Sequence, residues 1–239
     1  MLLDAHIHSA GVSPCSRVPI ESLIDICLAD RIDGIVLTNH YKSSAVRGDF
    51  SAWRENYVDE YEKARELGAK KGLKVFFGVE FTLEENHRND YTVYGLPLEV
   101  IRKAEPLYTM TLPELSAFVH GYGALLYHAH PFRNTLPADG TLLDGTEINC
   151  HPLYRGCREK DVREFADRFS LRLSCGSDYH GDTYKPHCGM VVPDSIETTE
   201  ELVDFLKNVP RPPLVVTPDP TPEMDISPGT GKPPFSFYG

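Results

Sequence analysis

Histidine and acidic residues gather in five short segments spread widely along the 239-residue chain: Asp4-Ala5-His6-Ile7-His8, Thr38-Asn39-His40, Gly78-Val79-Glu80, Tyr127-His128-Ala129-His130-Pro131 and Cys175-Gly176-Ser177-Asp178-Tyr179-His180. In extended backbone, residues i and i+2 project to the same side, so His6 and His8 can converge on one point. Asp178 and His180 share that spacing. Neutral imidazole suits zinc, iron or manganese, and Glu80 or Asp178 can bridge two ions through its two oxygens. A single strand-end histidine is more often a hydrogen-bonded structural residue. Five such segments in one chain point to a shared divalent metal centre.

The elements that must carry these segments follow from hydrophobic period. Strands are expected from Met1 to Ala5 leading into His6, over 34–38, 73–79, 91–94 and 124–127, and over 146–149 and 171–174. Helices are expected from Ile20 behind Pro19, over 51–71 with Gly72 as its stop, and over 160–169. Two more open at Thr111-Leu112-Pro113-Glu114, a capping box, and at Thr198-Thr199-Glu200-Glu201, the latter running to about Asn208. This alternation predicts an α/β protein with a parallel sheet of about seven strands, in either an open doubly wound sheet or a closed barrel. In both, sites form at the carboxyl ends of the strands, where the five segments fall.

Composition narrows the function. With 24 basic and 35 acidic side chains the net charge is −11. Such a chain is not expected to bind nucleic acid or an anionic membrane through a general basic surface, so an anionic substrate would have to be attracted by bound metal. The opening residues lack the apolar stretch of a signal peptide and no run reaches transmembrane length, which predicts a cytoplasmic protein. Six scattered cysteines without a CxxC predict free or buried thiols rather than a disulfide framework or a structural zinc site. Nine of the 19 prolines lie within residues 210–239. The expected organisation is therefore one domain over 1–208 and a Pro-rich C-terminal arm over 209–239, extended on the surface or partly disordered.

The ordered set DAHIH, TNH, GVE, AHP and GSDYH, spread over positions 4–180, resembles the PHP family, named for polymerase and histidinol phosphatase. The resemblance implies a distorted seven-stranded (β/α) barrel with two or three divalent ions (Zn, Mn or Fe) at the strand ends, and hydrolysis of phosphate esters. It implies that His6, His8, Glu80 and Asp178 hold a first ion, that Glu80 is shared with a second ion also bound by His130, and that His40 and His180 hold a third. Two ligand positions common in that family are altered. The loop after the first strand, Ser9 to Cys15, has no carboxylate or imidazole and offers only Cys15, whose thiolate would favour zinc. The strand at Asp90-Tyr91-Thr92-Val93-Tyr94 has no histidine; Asp90 stands about where one would fall, and His128 is a more remote substitute, expected to point the same way as His130.

The expected reaction is attack of a metal-bound hydroxide on a small phosphorylated metabolite, either a phosphomonoester or a cyclic phosphodiester. Arg17, Arg133 and Arg155 lie in loops beside the motifs and are the candidate phosphate contacts, followed by Lys42 and Arg47 in the loop 41–50, which is long enough to cover a site. An unligated histidine could protonate the leaving group; His151 and His187 are candidates by location, with a surface role as the simpler reading of each. Two alternatives stand beside this one. An amidohydrolase-type metal hydrolase shares the HxH and the late Asp, but no strand-end Lys is available as a bridging carbamate. A non-catalytic metal-binding regulatory module is the other. The oligomeric state is open.

Overall fold

The apolar runs and caps read from the sequence become ten strands and six α-helices in the computed structural model, which describes residues 1–134, 136–151, 158–181 and 184–217. Arg155 and residues 218–239 of the expected arm lie outside the described residues. The strands are β1 (Leu2–Ile7), β2 (Gly34–Leu37), β3 (His40–Tyr41), β4 (Lys74–Thr82), β5 (Asp90–Tyr94), β6 (Leu125–Ala129), β7 (Gly145–Asn149), β8 (Arg172–Gly176), β9 (Gly189–Val191) and β10 (Leu214–Val215). The helices are α1 (Ile20–Ala29), α2 (Phe50–Lys71), α3 (Leu98–Lys103), α4 (Leu112–Gly121), α5 (Glu159–Phe169) and α6 (Thr199–Asn208).

Local chemistry explains the helix ends. The Asp49 side chain accepts from Ala52 N at 3.0 Å to open α2, and Gly72 closes it in the left-handed region at φ 87°. Both capping boxes form: Glu114 accepts from Thr111 N at 2.8 Å before α4, and Glu201 accepts from Thr198 N at 3.1 Å before α6. Along α1, Ile20, Leu23, Ile24 and Cys27 are buried, one stripe of a 3.6-residue period.

The sheet runs β10-β9-β1-β2-β4-β5-β6-β7-β8, with β3 beside β4. The ring closes between β1 and the segment after β8: Asp178 N donates to His6 O at 2.7 Å, His8 N to Tyr179 O at 3.3 Å, and Ile7 bridges Tyr179 in parallel. The result is a nearly closed α/β barrel. Nine strands lie along the path where the sequence suggested about seven, because the short β9 and β10 attach to the outer edge of β1. The parallel sheet is also interrupted. β5 is antiparallel to both β4 and β6, since residues 83–89 are too few for the crossover that a parallel neighbour requires. The expected domain boundary at 208 is crossed by the sheet, as β10 lies beyond it and pairs with β9. Among the described residues no helix is long and apolar enough to cross a membrane.

Candidate metal centre

The carboxyl ends of β1, β4 and β6 and the segment after β8 converge at one mouth of the barrel. His6 ends the regular part of β1, and Glu80 lies within β4 opposite His40 of β3, its register partner. His130 follows β6 and Asp178 follows β8, both with positive φ, 30° and 51°. Non-glycine residues seldom adopt such values, and the turn they impose swings each side chain inward from the strand direction. Gly176 is required by close approach: a Cβ there would lie 2.5 Å from His6 Cβ and 2.9 Å from Glu147 Oε1.

The donors face one another. His6 Nε2 is 3.0 Å from His8 Nε2, 3.3 Å from Glu80 Oε1 and 3.5 Å from Asp178 Oδ1. His8 Nε2 is 3.1 Å from Asp178 Oδ1 and 3.4 Å from Glu80 Oε2. His130 Nε2 is 2.9 Å from Glu80 Oε1, His40 Nδ1 is 2.6 Å from Glu80 Oε2, and His40 Nε2 is 3.3 Å from His180 Nε2. Ligand atoms of His6, His8 and Glu80 lie within 4.8 Å of one another, as do those of His6, His130 and Asp178, and those of His8, His40 and His180.

Burial makes this arrangement chemically pointed. His6, His8 and Glu80 are fully buried, and Glu80 Oε2, Asp178 Oδ1 and His40 Nδ1 have no hydrogen-bond partner of acceptable geometry. Buried polar atoms without partners are costly, and lone pairs facing lone pairs call for a cation between them. The residues present therefore fit divalent metal.

The acids and imidazoles also act on one another: against burial, neighbouring carboxylates raise His6 well above its ordinary value, and Glu80 and Cys15 raise His40 to about 10. Burial alone would raise Glu80, but the imidazoles of His40 and His6 and the hydrogen bond from His130 hold it well below the usual carboxylate range. Asp178 is likewise held down, against burial, by the guanidinium of Arg133 and by His6 and His180. Burial and the nearby His180 and His40 push His8 well below its ordinary value, which keeps a neutral imidazole ready to donate its lone pair. Cys15 falls to about 5: burial opposes this, but His40 and His180 beside it more than compensate.

Most candidate ligands meet at this mouth, and several side chains find other places. Cys15 joins His40 and His180. Asp90 Oδ2 lies 3.7 Å from His130 Nε2 while its other oxygen accepts from Thr82 Oγ1. His128 does not point with His130, because the strand ends at Ala129 and the turn of His130 breaks the two-residue alternation. Its ring packs toward Tyr91 and Phe165, and Nδ1 donates to Ala129 O at 2.8 Å. Arg133 is at the centre, with Nη1 2.7 Å from Asp178 Oδ2 and Nη2 2.5 Å from Asn149 Oδ1. Arg17 is exposed and reaches the site through its backbone, donating to His180 O at 2.8 Å; Arg47 is exposed. His151 is buried with its ring 6.1 Å from that of His180, whereas His187 bonds Asp30 O elsewhere.

Sequence reasoning missed Glu147. It is fully buried on β7, with both carboxylate oxygens 3.0 Å from His6 Nδ1, and it accepts from His130 N at 3.0 Å. The available signal was an acid inside the short apolar run Thr146-Glu147-Ile148. The polar support beneath the site was missed as well: Asn39 Oδ1 accepts from Ser9 N and from Ser13 Oγ, each at 2.9 Å.

A family model for the PHP domain matches residues 4–144, more than half of the chain, and the protein belongs to the PHP family. Solved structures share the fold. PsfC from Pseudomonas syringae PB-5123 is similar at a TM-score of 0.59 and 20% identity, with 84% of this chain and 87% of that one covered. A two-domain protein from Bacteroides vulgatus ATCC 8482, containing a predicted PHP-like metal-dependent phosphoesterase, gives 0.56 and 18%, covering 87% of this chain and 55% of that one. An amidohydrolase from Chromobacterium violaceum, with bound sulfate and no metal, gives 0.54 and 15%, covering 85% and 96%. No curated protein matches the sequence.

Proposed function

We propose that the protein is a metal-dependent phosphoesterase acting on a small phosphorylated metabolite, with two or three divalent ions held by His6, His8, His40, Glu80, His130, Asp178 and His180, and with Cys15 as a further donor beside His40 and His180. One observation favours phosphate over other esters and amides: the Arg133 guanidinium is fixed beside the metal-binding donors by Asp178 and Asn149. A planar fork in that position suits the oxygens of a phosphoryl group and complements the charge that builds on them during displacement. Divalent ions in such a centre supply Lewis acidity and lower the pKa of water toward neutrality.

The chain's own residues do the rest. Glu147 fixes the tautomer and orientation of His6 and the backbone of His130. Arg133 orients the phosphoryl group, and His151, buried next to His180, is placed to give a proton from its ring to the leaving oxygen.

The Chromobacterium relative's name supports a second reading, amidohydrolase-type chemistry at the same centre. Turnover of an aryl phosphate, an aryl phosphodiester and an aryl amide by protein reloaded with Zn²⁺ or Mn²⁺ separates them. Phosphate-ester hydrolysis lost on chelation and restored by metal is the expected result. Amide hydrolysis without phosphate-ester turnover transfers the site to the second reading, and metal uptake with no turnover in any arm leaves a binding module.

A further inference from the structure

Three cysteines far apart in sequence meet on the other side of the sheet from the histidine cluster. Cys150 follows β7, Cys175 lies in β8 and Cys188 precedes β9, and their sulfurs all lie within 4.8 Å of one another. Cys150 Sγ and Cys175 Sγ are 3.9 Å apart. All three are buried in an apolar cluster with Leu3, Met190 and Leu206. Gly176 faces His6, so its neighbour Cys175 points the opposite way, and Sγ reaches Val215 O on β10 at 3.4 Å.

The spacing is that of a thiolate metal site. At a zinc–sulfur bond of about 2.3 Å, sulfurs sharing one ion are separated by about 3.8 Å in a tetrahedron and about 4.0 Å in a plane. We propose that Cys150, Cys175 and Cys188 form a second metal site, selective for zinc or another thiophilic d¹⁰ cation and separate from the His/carboxylate centre. Loading breaks three S–H bonds, forms three sulfur–metal bonds and releases three protons to solvent; nothing is oxidised or reduced. The hydrogen bond from Cys150 and burial hold the Cys175 thiol well above its ordinary value, so an incoming soft cation must displace that proton. Lys185, buried on the Cys188 side of this cluster, is paired with Asp4 at 2.9 Å. An ion here would tie β7, β8 and β9 together.

The test uses the full chain carrying Cys15→Ser, which removes the thiol that, among the described residues, joins the histidine cluster. The stripped protein is titrated with Co²⁺ and, separately, loaded with Zn²⁺ for X-ray absorption. Expected are a sulfur-to-cobalt charge-transfer band in the near ultraviolet and a zinc–sulfur scattering shell, with metal stoichiometry falling by one in Cys175→Ala and in Cys188→Ala. Circular dichroism identifies any variant that fails to fold, and the absorption result on the Cys15→Ser protein does not depend on those variants. Only nitrogen and oxygen scatterers around zinc, with no charge-transfer band, would overturn the proposal. So would an intact mass showing Cys150 and Cys175 joined as a disulfide in the freshly isolated chain.

Discussion

Glu147 holds His6 from behind: its carboxylate oxygens sit 3.0 Å from Nδ1, while Nε2 of the same ring faces Glu80 and Asp178. The carboxylate places the ring proton on Nδ1 and leaves the Nε2 lone pair for metal. Glu147→Gln keeps the volume but weakens that control. Its affinity for Zn²⁺ or Mn²⁺, measured by competition with a chelating dye, is expected to fall by about 10–100-fold with the fold intact. An unchanged affinity would remove Glu147 from the machinery.

Arg133 tests the phosphate assignment. Arg133→Lys keeps the charge but loses the two-pronged geometry that spans Asp178 and Asn149. We expect KM for an aryl phosphate to rise by about tenfold, with kcat/KM falling at least as far. Equal kinetics in the two proteins would return Arg133 to a purely structural role on Asp178.

A methyl group at Gly176 has no room. A Cβ there would lie 2.6 Å from His6 N as well as against Glu147, and backbone cannot swing aside as a flexible side chain can. Gly176→Ala is expected to lose about 1–3 kcal/mol of stability, seen as a drop in Tm by calorimetry, together with weakened metal uptake. A variant that melts with the parent would show that β1 and β8 are not so tightly apposed.

His128 sets part of the acid limit. Burial first, and the neighbouring His130 in addition, lower it to about 4 from an ordinary value near 6.5, against the opposing bond to Ala129 O. The unfolded chain binds the proton more readily between those values, so stability declines as pH falls through that window, by up to about 3 kcal/mol. In the metal-free protein, His128→Leu should therefore flatten the plot of unfolding free energy against pH between 6.5 and 4. Parallel acid limbs in the two proteins would contradict this.

Metal should stabilise as well as activate. The buried, unpartnered oxygens of Glu80 and Asp178 gain a partner when an ion binds. At a free concentration of about 100 times Kd, a single site adds about 2.7 kcal/mol. Thermal scans with and without a chelator should show a clear fall in Tm on stripping, and coincident scans would argue that the donors are satisfied some other way.

The sequence carried the site further than the topology. Histidines and acids at strand ends were recognisable because each follows an apolar run, and the caps at Thr111 and Thr198 locate α4 and α6 directly. Glu147 was hidden because an acid within a four- or five-residue run has no pattern of its own; only the parallel register of Glu147 with Ser174 brings it beneath His6. His128 was misassigned in direction because its neighbour leaves β geometry, a conformation that side-chain type does not announce. The reversal of β5 came from the length of one connection, and the meeting of Cys150, Cys175 and Cys188 from pairings between strands, neither of which spacing along a chain records.

The pairing of Ile7 with Tyr179 has a consequence for biosynthesis. His6 and His8 leave the ribosome well before Asp178 and His180, which follow only after nearly the whole ring has been made. A nascent chain can offer incoming cations no more than scattered, weak donors until the last seam zips shut. Capture of an ion by the full donor set would thus be a late event, one that waits for the ring to close.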